Sequence, residues 1–232
     1  MRRRVLTVTG VALLAIPALA LASRAHPAKA GPIVSVRVEG LKKTRLLATL
    51  VSGRSGWITK GGTPKGQCSG RSAAGALDVA TKGNWTGSWS TKYQALSVTG
   101  ILGEKHAFTS HAYWSIWVNN KYASSGVCGI TLKKGEQLLF AAEPDKTTWY
   151  PSALSAPHSA TKGHPFIVKL LGYGASGKKP LAGVTITGNG INSAKTNHSG
   201  VATITDGHSG VLVLRASPKK FIRTEAIVPV GG

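Results

Sequence analysis

The chain has 232 residues, of which 29 are lysine or arginine and only 8 are acidic, for a formal net charge of +21. So few carboxylates leave little material for paired-carboxylate catalysis, and two cysteines with no clustered histidines are not spaced for a metal site. The length suits one large domain or two small ones, each with its own core.

The N-terminus carries a targeting pattern. Arg2, Arg3 and Arg4 precede an apolar run over residues 5–22, and Ala28-Lys29-Ala30 supplies the small-x-small site of a signal peptidase. Ala20-Leu21-Ala22 is an earlier candidate. The competing reading is a membrane anchor, but a run of about 18 residues is borderline for a bilayer and Pro17 near its end favours a cleavable peptide. The expected organisation is a signal peptide over residues 1–30, with Gly31 as the first mature residue. Arg2-Arg3 leaves Sec and twin-arginine export both open. Five of the 29 basic residues fall in this leader and no acid does, so 24 basic and 8 acidic residues remain, a net +16. No sorting motif with an apolar tail precedes Gly232, so an unanchored mature chain is expected.

The elements follow in order. The sequence Ile33-Val34-Ser35-Val36-Arg37-Val38-Glu39 alternates from Val34, the period of a half-buried strand, with a hairpin partner over 45–51. Residues 72–81 read as a short helix with Ser72 as N-cap, ending near Gly83. Residues 93–101, 113–118, 128–132 and 137–142 read as strands, with Asn119-Asn120 and Lys134-Gly135-Glu136 as turns. Residues 151–163, rich in Ser, Ala and Pro, read as a linker. Strands are then expected over 165–173, 184–187, 201–205, 211–216 and 224–230, a spacing that suits a small antiparallel β-sandwich. The chain is therefore mainly β, with an α+β domain over residues 31–150 and a β-sandwich over 164–232.

In an exported chain the isolated pair Cys68 and Cys128 is expected to form one disulfide. Closing a loop of about 60 residues restricts the unfolded chain by roughly 4 kcal/mol.

Several motifs, in their order and spacing, resemble those of a known family. Val36-Arg37-Val38-Glu39-Gly40, Cys68-Ser69-Gly70 leading into Ala73-Ala74-Gly75-Ala76-Leu77, Tyr113-Trp114-Ser115-Ile116-Trp117-Val118-Asn119, and Gly126-Val127-Cys128 with 132–140 follow in order. Residues 33–143 resemble a bacterial extracytoplasmic domain family of unknown function related to the transcobalamin C-terminal domain. The second half is similar to carboxypeptidase-regulatory-like, prealbumin-type sandwiches, through Gly183-Val184-Thr185-Ile186 and the stretch 196–202. The resemblance implies a ubiquitin-like mixed sheet with one helix, used in binding. It does not carry cobalamin across, because no helical repeat is present to form the other wall of such a site.

The chain carries no complete catalytic pattern. Gly53-Arg54-Ser55-Gly56 only approximates a nucleophile elbow, and Gln67-Cys68 stands where a P-loop needs Lys and Ser/Thr. His106 and His111, five apart, face opposite sides of a regular strand and read as surface residues. Asn84-Trp85-Thr86 and Asn197-His198-Ser199 match the glycosylation sequon but read as turn chemistry. No catalytic, cofactor-binding or metal-binding residues are assigned, and no cofactor is expected.

All six tryptophans lie in the first half. Trp85 and Trp89, in a Gly/Ser/Thr-rich segment that reads as a loop after the short helix, and Trp114, Trp117 and Asn119, on or beside one strand, are the candidate ligand-binding residues, with Asn84 and Asn120 nearby. Core packing is the alternative for each ring. The function expected is a secreted, non-catalytic binding or adhesion protein for an extracellular ligand such as a glycan. The alternative is a structural wall-associated protein held electrostatically to an anionic cell-wall polymer, a partner that suits the basic charge outside a cell better than nucleic acid.

Overall fold

The computed structural model describes residues 31–106 and 111–232. The leader and its cleavage site lie outside the described residues. No helix among them is long and apolar enough to cross a membrane.

The first half is built on one mixed sheet. Alternating valines in β1 (Ile33–Glu39) pair antiparallel with β2 (Thr44–Ser52), as their periodicity predicts. After the helix α1 (Ala73–Ala80) come β3 (Trp85–Ser90), β4 (Ala95–Ile101) and β5 (Glu104–Lys105), which form a separate antiparallel sheet. The chain then re-enters the first sheet through β6 (Ala112–Val118), β7 (Lys121–Tyr122) and β8 (Gln137–Pro144). The order is β2-β1-β8-β6-β7, with β1 and β8 parallel at its centre. A leading hairpin, a helix, and a last strand parallel to the first give the ubiquitin-like arrangement. Val34, Val36 and Val38 bury one face against Leu77 of α1, Phe140 and Trp114.

Local chemistry explains the turns. Asn119 and Asn120 both adopt positive φ, 50° and 63°, in the two-residue hairpin joining β6 to β7, a geometry that asparagine tolerates. Gly75 in α1 lies so close to the backbone of Gly70 that an added Cβ would sit 1.7 Å from that carbonyl oxygen. The start of α1 departs from expectation. Ser72 occupies the N-cap position, but its hydroxyl donates to the Ser69 carbonyl at 2.6 Å. The helix's first amides instead donate to distant carbonyls, Ala73 to Ile130 and Ala74 to Val127.

Cys68 and Cys128 are bonded, tying the approach to α1 to the segment that caps it. Two expectations need correction here. Residues 128–132 form a turn with a single bridge, Thr131 opposite Ser72, because their carbonyls serve the helix. The Gly/Trp segment is strand β3, irregular at Gly87 where the register shifts.

The second half packs two sheets face to face. One has the order β10-β17-β16-β13-β14, from Ala160–Thr161, Thr224–Gly231, Gly210–Ala216, Thr185–Gly188 and Ala194–Lys195. The other joins β12 (Gly177–Pro180), β11 (Phe166–Gly174) and β15 (Val201–Ile204), with β9 (Ser152–Ser155) on β11. Pairing is antiparallel except between β10 and β17. Val168, Leu170, Ile186, Leu214 and Val228 fill the space between. The stretch 151–163 is thus not a bare linker: it contributes β9 and β10, one strand to each sheet. Its Ser, Ala and Pro composition hid short edge strands that draw their stability from the sandwich.

The two halves are in contact. The face of the first sheet turned away from α1 carries Trp117, Leu139 and Ala141, and these bury against Ile222 of the second half with Trp149 and Tyr150. Arg223 donates to the carbonyls of Gly40 and Leu41 at 3.1 and 2.6 Å, and Arg37 reaches back to the Arg223 and Ser152 carbonyls.

Candidate functional site: an aromatic groove at the junction

Strand alternation places Tyr113, Ser115 and Trp117 of β6 on the sheet face that meets the second half. Trp117 is almost fully buried, and its indole N–H lies 2.9 Å from the Ser115 hydroxyl and 3.1 Å from Glu143 Oε1. Glu143 is itself 1% exposed and accepts the Trp149 amide through Oε2. Burial raises its pKa above the usual carboxylate range despite hydrogen bonds from Ser115, Trp149 and Trp117. Its own partial burial, followed by the nearby Glu143 charge, raises the Tyr113 phenol.

The hairpin at Asn119-Asn120 sets Tyr122 directly opposite Trp117, with ring centroids 5.3 Å apart and nearly perpendicular. Tyr150 approaches from the other side at 6.4 Å. Together with Tyr113, Tyr173, Asn120 and Lys121 these side chains line a groove of about 510 Å³. Trp117 forms its floor, and Tyr122, 57% exposed, forms a lip. Edge-to-face packing against the buried Trp117 fixes the Tyr122 ring while leaving much of that ring exposed.

The candidate ligand-binding residues do not gather in one place. Trp85 is buried in the first core, donating from its indole to Asp78 at 2.8 Å. Asp78 is held in turn by Arg54 at 2.8 Å. Trp89 is half-buried against the same core. Trp114 packs there too, beside His106. Asn119 is a turn residue whose side chain accepts the Gln137 amide at 2.9 Å. Only Trp117 reaches the groove, and Asn120 joins it there.

His106 also departs from expectation. It is not a free surface histidine but hydrogen-bonds Glu104 at 2.8 Å, with its side chain 12% exposed. Burial alone would raise the Glu104 pKa, but His106, the Leu41 amide and Arg45 hold it below its usual value. His111 is exposed. Among the described residues no group of three His, Cys, Asp or Glu side chains could hold a metal ion.

Tyr122, Tyr150 and Tyr173 were missed by reading the sequence. The two-residue turn pairs position 117 with 122, so Tyr122 had a local signal. Tyr150 and Tyr173 had none, because only the packing of the second half brings them to Trp117.

No protein-family model matches the chain, and no curated protein matches it. Solved structures that resemble it include haptocorrin in complex with Cbi, with a TM-score of 0.35 and 17% sequence identity. That match covers 49% of this chain and 25% of haptocorrin, so the chain spans about a quarter of the length of that protein. A likeness of this size assigns neither ligand nor activity.

Proposed function

We propose that the protein is an exported, non-catalytic binding protein that holds a glycan in the aromatic groove. The observation that carries this reading is the set of four tyrosines and Trp117 around one opening between the two halves. Sugar rings present apolar C–H faces that stack on such side chains, while Asn120, Lys121 and Thr148 offer polar partners at the rim. Among the described residues its lining includes no carboxylate, histidine, serine or cysteine, a composition that favours holding a ligand over cleaving one. The leader motif and the Cys68–Cys128 bond support an extracellular setting.

The test is glycan-array binding by the intact mature chain, followed by titration of the best ligand against Tyr122→Ala. Saturable binding that resists moderate salt and weakens about three- to tenfold in the variant is expected, the effect of losing one stacking contact of about 0.5–1.5 kcal/mol. Binding that Tyr122→Ala leaves unchanged would move the ligand elsewhere, and turnover of any array glycan would overturn the non-catalytic reading.

A further inference from the structure

The fold sorts charge by sign. Among the described residues Asp145 is the one fully exposed acidic residue, whereas Glu39, Asp78, Glu143 and Asp206 are buried. Of the 24 lysines and arginines from residue 31 onward, all but Arg37, Arg45, Lys60 and Arg223 are exposed. The outer surface is therefore close to purely cationic, and its potential exceeds what the net charge alone suggests.

On the second half this charge lies along concave surface. One groove, of about 720 Å³, includes Lys179 of β12, Arg215 of β16 and Lys219 in its lining. A second, of about 440 Å³, includes Lys169, Lys178 and His198. The two share Lys179 and Pro180 in their linings, so they lie side by side on either flank of β12. Among the described residues no aspartate or glutamate lines either one. Lys179 also stands 5.9 Å from the centroid of the Phe221 ring, which walls the first groove.

We propose that these adjoining grooves bind a linear polyanion carrying one negative charge on each repeat, of the phosphodiester or polyuronate type. Successive lysines and an arginine along a furrow match successive charges along a chain. A bilayer would need a flat or protruding basic face, which a furrow does not offer. The site shares no lining residue with the aromatic groove and does not depend on what that groove holds.

The probes are inorganic polyphosphate and polygalacturonate, titrated over a range of salt concentrations against the intact mature chain. The groove variant carries Lys179→Gln, Arg215→Gln and Lys219→Gln. A control removes equal charge from the first half with Lys65→Gln, Lys133→Gln and Lys134→Gln. All six positions are exposed, and melting curves confirm that both variants fold. The groove variant should bind at least about tenfold more weakly, and its slope of log affinity against log salt should fall by about 2, from three lost contacts at roughly 0.7 each. The control should change affinity by less than about threefold. Binding to either polymer that follows this pattern supports the site and identifies the charged group it accepts. Equal loss in both variants overturns it, as does binding to neither polymer. Capture by vesicles of equal parts phosphatidylglycerol and phosphatidylcholine without polymer binding also overturns it.

Discussion

Glu39 and Glu225 meet across the junction of the two halves, with the Thr44 hydroxyl hydrogen-bonded to both. That hydroxyl has a single proton, so it can donate to only one of the two carboxyl groups at a time. Burial raises Glu39 to about 9, with Glu225 adding to the shift and Arg37 opposing it. A folded-state pKa above the unfolded value means that the native chain binds the Glu39 proton more tightly. Its stabilising contribution is complete below about pH 4.5 and is lost as pH rises toward 9. Glu39→Gln, which mimics the protonated acid, should therefore melt at a higher temperature than the parent near pH 8. The difference should shrink as the pH approaches that of the free carboxyl group. Parallel melting curves that stay a constant distance apart across this range would show that Glu39 is ionised in the native state.

The Cys68–Cys128 bond joins segments on either side of the α1 N-terminus, where Val127 and Ile130 supply the carbonyls that accept the first helical amides. Reduction should cost roughly 4 kcal/mol and fray α1 first. Thiol titration of unfolded, unreduced protein should find no reactive sulfur, and hydrogen exchange after reduction should report the helix amides.

Trp85→Ala should cost about 3–5 kcal/mol, as expected for a buried aromatic, and it also strips Asp78 of an indole donor. Trp89, half-buried, should cost less. Chemical denaturation of both variants decides this; equal, small losses would mean that neither ring belongs to the core.

Arg223 carries much of the polar attachment between the halves through the Gly40 and Leu41 carbonyls. Arg223→Ala should lower stability by about 1–3 kcal/mol and increase protease cleavage over residues 145–150. A variant as protease-resistant as the parent would show that the apolar contact around Ile222 holds the halves by itself.

How far the sequence could be read depended on whether a signal was local. The alternation of Val34, Val36 and Val38, the helix ending near Gly83, and the Asn119-Asn120 turn all state their structure within a few residues. The periodicity of β6 was visible too, but its meaning was not. One face had to be core, yet both are covered: Trp114 by the first core and Trp117 by the second half. No pattern within residues 112–118 can announce a neighbour more than thirty positions away. The same reason hid β9 and β10, whose partners lie in β11 and β17. It also hid Tyr150 and Tyr173 as walls of the groove.

The junction leaves almost no slack between the halves, since Arg223 donates to the Gly40 and Leu41 carbonyls while Ile222 is buried against Trp117 and Leu139. The slot between them is therefore open at a set width before any ligand arrives. An occupant meets finished walls and loses little freedom to closing motions. Its capture should proceed in one kinetic phase, with an observed rate that climbs in straight proportion to concentration and never levels off.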